Sequence, residues 1–137
     1  MSEHDAHART ATLAKIVGPY FIIGAALLTI RADTLPLLLP ALFSDGPLVM
    51  ISGAFTLILG LTMWALHHYW NSAAAIALSL VALICALEGA CLMLAPELMA
   101  RLSRAFVAGP LIYLLAVISL LLGVWLTLVG WGRETPH

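Results

Sequence analysis

Four apolar runs divide this chain and decide what it can fold into. Leu13–Ile30, Leu48–Leu66, Ala73–Leu94 and Leu111–Trp131 are each close to the ~20 residues that a helix needs to cross ~30 Å of hydrocarbon. In lipid every backbone N–H and C=O must be bonded within its own segment, so each run is expected to be helical. A soluble chain of 137 residues lacks the surface to cover so much apolar side chain. Charged residues make up 9% of the sequence, against about 25% in a soluble domain, and 63% is hydrophobic. The fold class expected is all-α: an integral membrane four-helix bundle. The lipid bilayer is its first partner.

The links are short, so residues 13–132 form one four-span domain between a polar N-terminal tail, 1–12, and a polar C-terminal tail, 133–137. The opening MSEHDAHARTATLAK is mixed in charge and does not read as a cleavable signal peptide. Gly18-Pro19 falls near the start of the first span, where a first-turn proline loses no hydrogen bond, and Gly24 offers a site of close helix approach. Asp33 is expected to cap a short interfacial helix over Thr34–Phe43, and Asp45 with Pro47 to open the second span. Pro96 opens PELMARLSRAF, an amphipathic segment with a Glu97–Arg101 pair at i,i+4.

The two halves of the chain resemble each other. Gly46–Gly60 and Gly109–Gly123 both begin Gly-Pro-Leu and carry a glycine fourteen residues on. Gly24–Leu35 aligns with Gly89–Leu98 with a small shift. The pattern predicts two tandem helix–interfacial helix–helix repeats, about 13–70 and 71–132, related by an axis near the membrane normal.

Glu88 is the one ionisable residue in the third run. An acid at mid-span costs roughly 2.5–3.5 kcal/mol on insertion scales, so a partner, a proton or water must offset it. Arg31 is the nearest candidate partner if Gly24 and Gly89 lie at one level, because the two charges are then about 12 Å apart along the helix axes. Arg101 and Arg104, on the same side of the membrane, are alternatives. The other reading makes Glu88 a proton or cation site. On the same helix Ala82, Ala86 and Ala90, with Gly89 adjoining, form a small-residue ladder suited to close packing. Glu88 points about 160° away from Ala86, so both faces need protein or water beside them.

His67 and His68 end the second span beside Trp64 and Trp70. Adjacent histidines diverge by about 100°, and a zinc site needs three or four ligands, so interfacial anchoring is the expected role, as for Trp131. Cys85 and Cys91 lie six residues apart on different helix faces and do not bridge each other. No spacing suits a metal, a cofactor or a catalytic nucleophile, and a formal net charge of −1 argues against nucleic acid as a partner.

ALHHYW after the second span and LEGACLMLAPELMARL across the end of the third resemble the small, uncharacterised four-span proteins of bacterial inner membranes. That resemblance implies an inner-membrane location and no assigned activity. A short polar N-terminus and an even number of spans favour cytoplasmic termini. The leading functional expectation is a non-enzymatic structural or accessory subunit, or a self-associating scaffold, working as a homo-oligomer or within a larger membrane complex. The alternative is a small proton- or cation-coupled transporter using Glu88. A membrane redox or lipid enzyme is the third.

Overall fold

A computed structural model of the protein describes residues 3–132, which form six helices. In chain order they are α1 (Glu3–Ile30), α2 (Leu35–Ser44), α3 (Gly46–Leu66), α4 (Ala73–Leu94), α5 (Pro96–Val107) and α6 (Leu111–Trp131). Four of them, α1, α3, α4 and α6, are long and apolar enough to cross a membrane. They pack as a bundle, with α2 and α5 as short helices between spans. The architecture is all-α, as the apolar runs require. The expected C-terminal tail, 133–137, lies outside the described residues.

Two antiparallel pairs make up the bundle, α1 with α6 and α3 with α4. Glycine sets both crossings. A methyl group at Gly89 would strike the backbone of Leu57, and one at Gly60 would strike the backbone of Ala86. In the other pair, Gly18 lies against Thr127, and a Cβ on Gly123 would come 2.8 Å from the carbonyl oxygen of Gly18. In lipid no hydrophobic force draws helices together, so this close backbone approach supplies dispersion contacts that larger side chains would block.

The pairs meet toward the end that carries the termini. Ala14 and Val17 of α1, Met63 of α3, Ala74, Leu78 and Ala82 of α4 and Leu126 of α6 form one buried cluster there. Toward the other end α2 packs on α5, and grooves open between the helices.

Local chemistry explains several helix ends. Asp45 caps α3 by accepting from the Leu48 N–H at 3.0 Å, and Ser72 caps α4 by accepting from Ala75 N–H at 3.2 Å. Gly109 has φ +63°, the left-handed turn that carries the chain from α5 into α6.

Three local expectations need correction. α1 begins at Glu3, so Pro19 lies inside the helix and not in its first turn. Asp33 does not cap α2: the N-cap is Thr34, whose hydroxyl donates to the Arg31 carbonyl at 3.2 Å. A Cβ on Gly24 would meet nothing within 4 Å, and Gly18, six residues earlier, makes the close approach instead.

Candidate functional site

Glu88 lies on α4 six residues before its last residue, Leu94, or about 9 Å inside the end of the helix. Its side chain is exposed and faces an open groove of about 430 Å³. Five helices line this groove, with Leu28, Leu39, Ile84, Leu102 and Phe106 among the apolar walls. Ser103 is the other polar side chain in the lining.

The opposite face of α4 explains why the carboxylate points outward. Gly89 and Ala86 press on α3, so the next positions around the helix turn away from that pair. Ala82 is buried in the four-helix cluster, and Ala90 is half-buried. α4 also touches α1 and α5, which gives it neighbours on three sides.

Among the described residues, no ion pair joins Glu88 to an arginine. Arg31 is exposed in the link after α1, beyond the helix end, while Glu88 lies a turn and a half or so inside its own. Arg101 and Arg104 line a different groove, also about 430 Å³, with Glu97 of α5 and Pro40, Phe43 and Ser44 of α2. At 100° per residue Arg101 points about 160° away from Ser103, so α5 separates the arginine groove from the glutamate groove.

Three threonine hydroxyls in the spans are satisfied locally. Thr29, Thr56 and Thr127 each donate to the carbonyl four residues earlier, at 2.9, 2.9 and 2.7 Å. Glu88 has no such recourse, because a carboxylate accepts and helix N–H groups are already engaged.

A second polar constellation occupies the end near the termini. His67, the residue after α3, is 1% exposed. The Thr10 hydroxyl of α1 donates to the Ala6 carbonyl at 2.8 Å, which leaves its oxygen to accept from His67 Nε2 at 2.8 Å. That places the ring proton on Nε2. Nδ1 then faces the Ser79 hydroxyl of α4 at 3.4 Å, and the same hydroxyl donates to the Tyr69 carbonyl at 3.1 Å. The Tyr69 ring meets the imidazole edge-on at 5.2 Å. Burial pushes the His67 imidazole below its ordinary value, and the neighbouring His68 pushes the same way.

His67 therefore lies inside the protein at the level of the link, where the sequence reading has an interfacial anchor. His68 is exposed and stacks on Tyr69 at 5.6 Å. Trp64 is half-buried, and Trp70 and Trp131 are exposed. Lys15 lies over the Trp131 ring at 5.2 Å. Sequence reasoning misses Thr10 and Ser79. The available signal is the spacing Ala6, Thr10, Ala14, a stripe of small residues at i,i+4 that continues the α1 packing face into the polar segment.

Comparison with protein-family models, curated proteins and solved structures found no match. Four long apolar helices make this a small four-span membrane protein, and its site must be read from its own chemistry.

Proposed function

We propose that the protein is a small proton- or cation-coupled carrier, without enzymatic chemistry, whose working residue is Glu88. One observation carries the reading: the carboxylate faces an open groove about 9 Å inside α4 that no arginine lines among the described residues. A charge at that depth needs compensation, and the chain offers none among its described residues. A proton or cation that arrives and leaves fits this arrangement better than a fixed internal ion pair does. Reconstitution in liposomes tests it. Wild-type protein should move protons or cations down an imposed gradient, and a folded Glu88→Gln variant should not. Equal flux in the two, or none in either, would sink the carrier reading.

A second reading keeps the protein as a structural or accessory subunit, or a self-associating scaffold. The broad apolar exterior favours it, with Phe55 and Ile58 of α3 and Leu121 and Leu128 of α6 all exposed. Here a second copy or another subunit brings the counter-charge to Glu88. This reading expects Glu88→Gln to change oligomeric state in mild detergent, with no flux in either protein.

Both readings include a bacterial inner membrane with cytoplasmic termini, which reporter fusions at Met1 and at the C-terminus would test. Both also accommodate duplication. Exchanging the halves carries the α1–α6 pair onto α4–α3 and α2–α3 onto α5–α6, and leaves α2–α5 and α1–α4 on themselves.

A further inference from the structure

We propose that the Glu88 groove binds a hydrophobic organic cation, with its charge at the carboxylate and its apolar body against α2 and α5. The inference rests on the carrier reading for the use of the site and goes beyond it in naming the ligand class. Charge complementarity selects the sign. Among the described residues, Glu88 is the one charged group lining the groove.

The rest of the lining selects the chemistry. Calcium takes six to eight oxygen ligands and magnesium keeps an ordered shell of water, whereas this groove offers a carboxylate and one hydroxyl, Ser103, among aliphatic walls. A metal ion would have to shed its water with nothing to replace it. An organic ammonium or phosphonium ion carries its charge on a weakly hydrated apolar body, so the same walls favour it. Phe106 adds an aromatic ring on which such a cation can lie. The volume, about 430 Å³, falls in the range of small-molecule sites, about 300–1,000 Å³.

Access agrees with the ligand class. The groove opens on the outside of the bundle at a depth below the end of α4, where a hydrophobic cation partitioned into the bilayer is already concentrated. A lipid acyl chain would satisfy the walls and leave the carboxylate uncompensated. A second copy of the chain would need to bring an arginine about 9 Å below its own helix ends.

Equilibrium dialysis of tetraphenylphosphonium against full-length protein in nanodiscs tests the proposal, with tetraphenylborate as an anion of the same shape. Saturable binding of the phosphonium, at least tenfold weaker in Glu88→Gln and partly kept in Glu88→Asp, supports it. Leu39→Trp, which fills the groove and leaves the carboxylate in place, should weaken binding as much, and it decides the matter if Glu88→Gln fails to fold. Three results overturn the proposal: equal affinity for tetraphenylborate, unchanged phosphonium binding in a folded Glu88→Gln or Leu39→Trp variant, or a Glu88-dependent dimer that the phosphonium neither binds nor perturbs. Phosphonium binding without liposome flux would sink the carrier reading and leave the site standing. Proton flux from a protein that binds no phosphonium would do the reverse.

Discussion

At the end of the bundle near the termini, His67 is closed in by α1 and α4, with Thr10 on one ring nitrogen and Ser79 on the other. Toward the far end Glu88 faces a groove that no arginine lines among the described residues. Both are polar groups that lipid would not tolerate bare, yet only the histidine is resolved inside the chain. The difference separates two uses of polarity in a membrane protein. A satisfied network fixes the relation of helices to one another. An unsatisfied charge beside open space is available to something from outside.

The largest effect should come from the turn that carries Glu88 itself. Gly89→Leu drives a side chain into the backbone of Leu57, and overpacking at a crossing this close should cost about 3 kcal/mol or more. Loss of a monodisperse folded peak on gel filtration in detergent would check it. A Gly89→Leu protein as stable as the wild type would mean that the α3–α4 pair is not held by close approach.

His67→Ala comes next. It leaves Ser79 and Thr10 facing a cavity and removes the hydrogen bond that Nε2 donates to Thr10, for a loss of about 1–3 kcal/mol in thermal or denaturant unfolding. Acid should act in the same direction. With the folded imidazole held below the ordinary value of 6.5, the unfolded chain binds the proton first. The stability from the neutral ring is therefore complete above pH ~6.5 and is lost as pH falls below that toward the folded value. Melting temperatures across pH 7.5 to 5 should drop for wild type more than for His67→Gln. Parallel curves would show that another group sets the acid response.

How far each end is legible in the sequence follows from the range of the interactions involved. Span length is a local property, so the four apolar runs predict four helices whose ends fall within two residues of the observed ones, except that α1 starts ten residues before its run, at Glu3. The short helix expected over Thr34–Phe43 is found at Leu35–Ser44, one residue along. Asp45 and Ser72 lie beside the N–H groups that they cap, so chain order alone reveals them. The His67 network is different. Thr10 is 57 positions away in sequence and sits in what composition presents as a tail, so only the packed structure joins the two.

The surroundings of Glu88 are hidden for a related reason. Helical periodicity shows that it points away from Ala86 and Gly89, but not which helix stands on the other side. Arg101 and Arg104 share its membrane side, and the rotation of α5 about its own axis sends them to another groove. No local signal encodes that rotation.

A smaller effect should come from the rim near the termini. Lys15 over the Trp131 ring is a partly exposed cation–π contact, worth about 0.5–1 kcal/mol. Lys15→Met removes that contact and should lower stability by about that much in denaturant unfolding. A larger loss would extend the satisfied polar region beyond His67 to the α1–α6 pair.

The smallest effect on stability should come from the residue with the greatest effect on flux. Glu88→Gln keeps the shape of the side chain and removes a charge that no arginine of the described chain compensates. It breaks no ion pair, and the change in unfolding free energy should stay within about 0.5 kcal/mol. Denaturant titration of the two proteins in the same detergent measures this directly. A loss of 3 kcal/mol or more is the signature of a buried pair deprived of one partner. That result would give Glu88 the role that His67 has, as a fastener between helices, and the contrast between the two ends of the bundle would vanish. A change near zero, together with lost flux, leaves the carboxylate doing nothing for the fold that glutamine cannot do, which is the condition expected of a residue held in place for a ligand.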